Sequence, residues 1–334
     1  MQLSIIIVNY KTPGLVLDCL RTVYAHTRDI QFEVIVVDNA SGDDSRERIT
    51  RTYEDIRWID MGYNAGFARA NNAGIRQSGG DALLFLNSDT LMEENAIGIT
   101  LQRLLASEYA AAGIQLLNAD RSPQISGLYN IRGGLSQLLL LPGLGKFFKA
   151  FGQMFGVAKP HLPDSSSCME VDWINGAFLM VKKTAIEKAG LMDEDFFLYA
   201  EEAEWCGRLQ KTGKLCIFGD LSAIHLEGET VNRASGSATK KHHHVYDRKG
   251  LQVMLSGLLR VRKQYGVFWF LTILFFYLAE VPVFFLCVLI LGLFVKNGSV
   301  YSFRHLGGYI RNLGVILSLT GRIIRNKPYF YKLL

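Results

Sequence analysis

Short apolar runs that each close on polar residues constrain this chain more than any other feature. Ile5-Ile6-Ile7-Val8 ends in Asn9-Tyr10-Lys11-Thr12, Val34-Ile35-Val36-Val37 ends in Asp38-Asn39-Ala40-Ser41, and Leu83-Leu84-Phe85-Leu86 ends in Asn87-Ser88-Asp89. Runs this short and this continuous read as strands buried on both faces. A helix to about Ala25, carrying Leu15, Leu17, Leu20 and Val23, separates the first two, which is the pattern of a parallel sheet. A shorter unit, Ile56 to Ile59, leads into a glycine-bearing loop from Gly62 and a helix over Ala68 to Gln77, and Ala110 to Leu117 is a fifth strand. The expectation is an α/β domain through about residue 120. In an open sheet of this kind ligands bind beyond the carboxyl ends of the strands. Asp89 falls there, where a carboxylate can hold a divalent cation and the cation a diphosphate. The plainer reading of Asp89 is a turn residue that starts a helix over Thr90 to Glu94.

Charge is distributed unevenly. Residues 1–239 carry 22 Lys and Arg against 29 Asp and Glu, a net −7, whereas residues 240–334 carry 14 against 2, a net +12. In the tail the basic residues flank a long apolar run, which favours an anionic membrane over nucleic acid as partner. The five cysteines, Cys19, Cys168, Cys206, Cys216 and Cys287, contain no CxxC pair, so neither a zinc site nor a disulfide framework is expected, and a reducing compartment suits them. Met1 to Ser4 lacks the basic start of a signal peptide and reads as the approach to the first strand.

From Gly127 to about Val157 the composition turns to Leu, Phe and Gly with sparse Arg132, Lys146 and Lys149. Leu138 to Leu141 with Phe147, Phe148, Phe151 and Phe155 suggest short amphipathic helices for a bilayer, for a cap over the site, or for ordinary core. Ser165 to Ser167 reads as a linker. Val171 to Val181 is strand-rich and leads to a helix from Thr184. Asp193 to Trp205 then mixes six acids with dense aromatics. Partial burial there would raise carboxylate pKa values and make acid/base work available near neutrality; the alternative is a helix N-terminus enriched in Glu. His225, beyond a strand over Leu215 to Phe218, is either a structural hydrogen-bonding residue or, if the fold returns it to the Asp89 edge, a second metal ligand. His242-His243-His244 reads as surface.

Val267 to Val295 is almost uninterrupted apolar sequence, broken by Glu280 and Pro282. As one helix it would be about 43 Å long against a hydrocarbon core of about 30 Å, and a single crossing would export the basic residues from Lys296 onward. Two helices broken near Glu280 and Pro282 keep both basic flanks on one side, so a re-entrant or interfacial hairpin is expected.

Taken in order, Ile5 to Tyr10, Val37 to Ser41, Asn64 to Ala68 with Asn71 and Gly74, and Leu86 to Asp89 resemble a family 2 glycosyltransferase of the GT-A fold. Asp172-Trp173, Gly176 to Phe178 and Phe197 to Trp205 are similar to its bacterial rhamnosyltransferase-like branch. The resemblance covers about residues 3 to 265. It implies a Rossmann-like, mostly parallel sheet with helices on both faces, a nucleotide-sugar donor (dTDP- or UDP-linked), and inversion at the anomeric carbon. Asn9 and Tyr10 would line the nucleotide pocket, Asp38 and Asn39 would meet base or ribose, and Asn64, Gly66 and Asn87 would lie near the donor. Asp89 matches the last acid of the metal-binding DxD-type motif and His225 the later metal-binding histidine, for Mg²⁺ or Mn²⁺. Glu202 matches the base that takes the acceptor proton, with Glu201 as fallback, and Trp173, Gly176 and Tyr199 fall on the acceptor side. Two departures stand out: Asn87 replaces the first acid of DxD, and Glu-Glu-Ala-Glu replaces the more usual Glu-Asp with a later Asp.

The resemblance implies a hexosyl transfer, rhamnosyl above all, to a lipid-linked or polysaccharide acceptor in cell-surface glycan synthesis. The expected place is the cytoplasmic face of the inner membrane, anchored through the apolar tail, and a homo-oligomer is allowed. The expected organisation is a GT-A domain over 1–240 (1–120 donor half, 121–170 amphipathic insert, 171–240 acceptor half), a connecting helix over 241–265, and a membrane-associated hairpin with a basic tail over 266–334. A processive synthase is the alternative enzyme, but its Gln-x-x-Arg-Trp signature is incomplete: of Trp58, Trp173, Trp205 and Trp269 just Trp58 follows an Arg, and Glu54 stands where the Gln is required. A nicotinamide dehydrogenase would need glycines after the first strand, and Asn9 to Pro13 has none. A catalytically silent membrane scaffold would have no call for Asp89, Glu202 and His225 together.

Overall fold

The computed structural model describes residues 1–129, 132–154, 161–162, 167–226, 245–291 and 301–334. Phe155, Ser165, Ser166, His242-His243-His244, Lys296 and the end of the apolar run beyond Leu291 lie outside them. All five cysteines are free thiols. The chain divides into two compact units, one over Met1–Tyr129, His161–Glu194 and Trp205–Lys240, the other over Asn130–Pro160, Asp195–Glu204 and Lys241–Leu334.

The first unit is built from β1 (Leu3–Asn9), α1 (Pro13–His26), β2 (Phe32–Asp38), α2 (Ser45–Thr52), β3 (Arg57–Asp60), α3 (Gly66–Gln77), β4 (Ala82–Asn87), β5 (Thr90–Met92), α4 (Ala96–Leu105) and β6 (Ala111–Leu117). Its main sheet runs β3-β2-β1-β4, then β11 (Phe178–Lys182), β6, β12 (Leu215–His225) and β5, with β9 (Cys168–Val171) on β12. The first four strands are parallel, as the apolar runs predict, and β11 enters antiparallel between β4 and β6. β7 (Gly127–Leu128), β8 (His161–Leu162) and β10 (Trp173–Ile174) form a small separate sheet. The helix α6 (Lys183–Ala189) follows β11.

Strand alternation explains the continuous apolar runs. Ile5, Ile7, Val34, Val36, Leu84 and Leu86 enter one buried cluster. Their neighbours Ile6, Ile35, Val37, Leu83 and Phe85 enter another on the opposite face. With both faces covered, the middle of each strand is apolar throughout, and the polar residues near the strand starts, Ser4 and Glu33, satisfy each other at 2.7 Å. Gly74 lets α3 approach β1, since a Cβ there would stand 2.6 Å from the Ile6 side chain.

Two local expectations are corrected. Thr90–Met92 is a strand paired with the end of β12 and not the start of a helix, which begins at Ala96. β12 is longer than Leu215 to Phe218: after an irregularity between Phe218 and Ser222 it resumes pairing with β6 and runs to His225.

The second unit surrounds its own core. A 3₁₀ segment over Arg132–Leu140 and α5 (Leu144–Met154) join α8 (Arg248–Tyr265), α9 (Val267–Leu291) and α10 (Phe303–Ile324). Leu138, Phe196, Met254, Leu258, Phe270 and Tyr309 are among the buried side chains they share. The compact units thus divide the chain at other places than the expected boundaries near residues 121, 171 and 241. Residues 130–160 and 195–204 group with the C-terminal helices, and α8 is core to that unit and not a connector. α7 (Glu201–Leu209) contributes its first turn to this unit and its remainder to the first.

The expected break near Glu280 and Pro282 is also corrected. α9 continues through Pro282, at the loss of one ladder hydrogen bond. Glu280 is fully buried, and its carboxylate accepts the backbone N–H groups of Gly143 (2.6 Å) and Leu144 (2.8 Å) at the start of α5. A carboxylate in an apolar helix is thus satisfied by orphan donors of a second helix.

Candidate active site

β4 ends at Asn87, and the chain turns at once into β5, which lies antiparallel against the end of β12. The register sets His225 opposite Thr90, and the Leu226 N–H donates to the Asp89 carbonyl at 2.9 Å. His225 Nε2 therefore stands 3.4 Å from Asp89 Oδ1, with both residues buried at 6% and 3% exposure. Asn87 Nδ2 lies 3.4 Å from the same ring nitrogen. The other ring nitrogen, Nδ1, meets Gln124 Oε1 at 2.9 Å. Gln124 was not singled out by the sequence; it sits in a loop after β6, and nothing in its spacing marks it.

The donor set fits a divalent cation. An imidazole nitrogen and a carboxylate oxygen this close can share one ion through bonds of about 2.0–2.2 Å; the carboxylate suits Mg²⁺ or Mn²⁺, and the imidazole nitrogen favours a transition-metal ion such as Mn²⁺ over Mg²⁺. Among the described residues no three His, Cys, Asp or Glu side chains converge as a metal cluster. The pair accordingly leaves the other coordination positions to ligand oxygens or water.

The expected donor-side residues assemble as two loops at the ends of β1 and β2. Asn9 Nδ2 donates to Asp38 Oδ1 (2.7 Å) and to Ser41 Oγ (3.0 Å), while the Ser41 N–H donates to Asp38 Oδ2 (2.9 Å). Both oxygens of Asp38 thus shape the loop itself. Asn39 accepts the Ala65 N–H at 2.7 Å and donates to Asn64 Oδ1 at 3.1 Å, and Asn64 accepts the Gly66 N–H at 3.2 Å. The loop after β2 is in this way tied to the start of α3. Tyr10 is half-buried, with the Lys11 ammonium 5.5 Å from its ring centre. On the acceptor side, Trp173 pairs with Leu128, and its indole N–H is buried with no hydrogen-bond partner among the described residues. Gly176 lies half-buried between β10 and β11.

Tyr199, Glu201 and Glu202 belong to the second unit. Tyr199 and Ala200 both have left-handed backbone, with φ of 71° and 66°, a strained corner of the kind that functional sites retain. It aims the first turn of α7. Glu201 is 3% exposed and its Oε2 has no hydrogen-bond partner among the described residues, whereas Glu202 is half-buried. Burial, and then the negative charge of Glu202, push the Glu201 carboxyl well above the usual carboxylate range. Burial followed by Glu201 also raises the Tyr199 hydroxyl. Two other acids of the run are structural: Glu194 pairs with Arg76 and Asp195 with Lys263, each at 2.7 Å.

Residues 4–153 match the sequence model of glycosyl transferase family 2. The match covers just under half of the chain and makes that part similar to this family. Among curated family members it is similar to the low-salt glycan biosynthesis hexosyltransferase Agl10 of Haloferax volcanii, with 28% identity over 63% of this chain and 62% of that protein. It is 26% identical to the N-acetylglucosaminyl-diphospho-decaprenol L-rhamnosyltransferase of Mycobacterium tuberculosis over 63% of this chain and 71% of the relative. With the rhamnosyltransferase WbbL of Escherichia coli it shares 27% identity over 59% of this chain and 74% of the relative. The match thus spans less than two thirds of the first relative. Its fold is similar to the mannosyltransferase PcManGT of Pyrobaculum calidifontis, solved with GDP-Man and Mn²⁺, at TM-score 0.52 and 14% identity over 97% of this chain and 87% of that one. The S. aureus TarS 1–349 structure with UDP-GlcNAc gives TM-score 0.51 and 14% identity over 97% and 83%. The structural likenesses show the GT-A fold, and two of the three named relatives are rhamnosyltransferases.

Proposed function

We propose that this glycosyltransferase is metal-dependent and inverting, and that it moves rhamnose or a similar hexose from a dTDP- or UDP-linked donor to a lipid-linked glycan acceptor. The observation that carries the reading is the buried Asp89–His225 pair at the carboxyl end of the sheet. Asp89 and His225 would hold Mg²⁺ or Mn²⁺, which when bound offsets the charge that builds on a departing diphosphate.

The remaining work falls to the chain's own residues. Asn9, Tyr10, Asp38, Asn39, Asn64, Gly66 and Asn87 border the donor. Trp173 supplies a buried N–H for a substrate oxygen, with Gly176 and Tyr199 on the acceptor side. Glu202 takes the proton from the acceptor hydroxyl as that oxygen bonds to the anomeric carbon and the bond to the nucleoside diphosphate breaks on the opposite face. Glu202 suits the role better than Glu201: it is the more accessible of the two, and a buried neighbour with a raised pKa is the one that keeps its proton.

A membrane surface is the natural place for a lipid-linked acceptor. One helix, Val267–Ile290, is long and apolar enough to cross a bilayer by length and composition, and 33% of it is buried in the protein. Phe147 and Phe151 on α5, Phe268 and Phe275 on α9, and Phe303 and Ile310 on α10 are exposed within the same unit. Lys146, Lys149, Arg304 and Arg311 lie on the same helices. That composition favours an anionic leaflet, on its cytoplasmic side.

The test is a donor panel read out by released nucleoside diphosphate, with membrane extract as acceptor source. Turnover with dTDP-rhamnose or a related donor that needs added Mg²⁺ or Mn²⁺ supports the reading; turnover unchanged by a chelator contradicts it.

A further inference from the structure

Gln124 is 8% exposed and makes no contact expected of a substrate-binding residue; its side-chain amide is spent entirely within the protein. Its backbone is fixed by the Gln124 N–H donating to Leu116 O at 2.8 Å. Its Nε2 donates to two acceptors, the His225 carbonyl oxygen at 2.6 Å and Asn118 Oδ1 at 2.9 Å. Asn118 is itself oriented by its Nδ2 donating to the Ser122 carbonyl at 3.1 Å and to Ser122 Oγ at 2.9 Å.

Two backbone carbonyls therefore decide both amides, because a carbonyl oxygen can only accept. Turning the Gln124 amide over would bring its oxygen against the His225 carbonyl and against Asn118 Oδ1. In the orientation that remains, Gln124 Oε1 faces His225 Nδ1 at 2.9 Å, so Nδ1 must carry a proton. In a neutral imidazole the lone pair is then on Nε2, toward Asp89 Oδ1 and the Asn87 amide nitrogen. A metal-ligating histidine needs this arrangement, with the far ring nitrogen donating to a fixed acceptor.

We propose that Gln124 is a positioning residue for the glycosyl transfer, setting the tautomer and ring orientation of His225 so that Nε2 is presented to the cation beside Asp89. This rests on the reading of Asp89 and His225 as a cation-binding pair.

The test measures Mn²⁺ binding to the full-length protein in the presence of UDP, by the electron spin resonance signal of free Mn²⁺, in wild type, Gln124→Leu, Gln124→Glu and His225→Ala. Gln124→Leu is expected to weaken binding about 10- to 100-fold, measured well below the melting temperature of the metal-free variant. Gln124→Glu, which keeps an oxygen facing Nδ1, is expected to retain more affinity than the Leu variant. Loss in His225→Ala with wild-type binding in Gln124→Leu overturns the positioning role alone. Wild-type binding in His225→Ala overturns the cation-binding pair and this inference with it. Should Gln124→Leu fail to fold, ¹⁵N NMR of histidine-labelled wild type decides: a protonated Nδ1 and bare Nε2 on His225 support the proposal, and a protonated Nε2 overturns it.

Discussion

His225 lies beside Asp89 because it pairs with Thr90 across the antiparallel register of β12 and β5. Residues 136 apart in the chain thus come within 3.4 Å through a three-residue strand, and the loop that carries Gln124 meets the other nitrogen of the His225 ring.

Glu202→Gln is expected to lower kcat about 10²- to 10⁴-fold, the usual worth of a general base, while leaving donor KM and Mn²⁺ affinity close to wild type. Steady-state kinetics with a varied donor check this. A loss confined to KM would place Glu202 in binding and not in proton transfer.

Glu201 gives a signed pH dependence. Its carboxyl is held above its ordinary value of 4.5, so the folded protein binds this proton more tightly than the unfolded chain does. The group's contribution to stability is therefore undiminished below about pH 4.5 and is lost progressively as pH rises toward the folded pKa. Glu201→Gln is expected to raise the melting temperature at pH 7.5 and to leave it nearly unchanged at pH 4; an equal shift at both would contradict the assignment.

Glu280→Leu removes the acceptor for two backbone donors at the start of α5. Leaving such groups unsatisfied costs about 1–3 kcal/mol. Faster amide hydrogen exchange at Gly143, Leu144 and along α5 is the expected outcome, with exchange in β1 and β4 unaltered.

Replacing Phe147 and Phe151 together by Glu puts like charge and polarity on the exposed side of α5. Flotation with vesicles containing anionic lipid is expected to fall several-fold, and wild-type flotation to weaken as salt is raised. Equal flotation of both proteins would remove α5 from the membrane-facing surface.

How much of this was legible in sequence varies with the physics of each element. The strands from Ile5, Val34 and Leu83 could be read because burial on both faces leaves only apolar residues until the ligand edge. β5 could not: three residues carry no period, and Thr90 to Met92 are extended only because β12 is there to pair with them. His225 was visible as a conditional, whereas Gln124 was invisible because its partners, the His225 carbonyl and ring and the Asn118 side chain, meet it only in the fold. Pro282 argued for a break that α9 does not make, and Glu280, read as an interruption, is a buried acceptor for the start of α5. The division into units escaped the linear reading, since residues 130–160 and 195–204 join the C-terminal helices through side chains such as Leu138 and Phe196.

The central claim is that Asp89 and His225 hold a catalytic cation in a sugar-nucleotide transferase. Its most direct test is Mn²⁺-dependent release of nucleoside diphosphate by wild type and by Asp89→Asn, with membrane extract as acceptor source and an unchanged melting temperature as the folding control. The account predicts turnover in the wild type that a chelator abolishes and that falls at least 100-fold in Asp89→Asn, in keeping with the loss of an electrostatic contribution to the transition state. Equal turnover in the two proteins would contradict it.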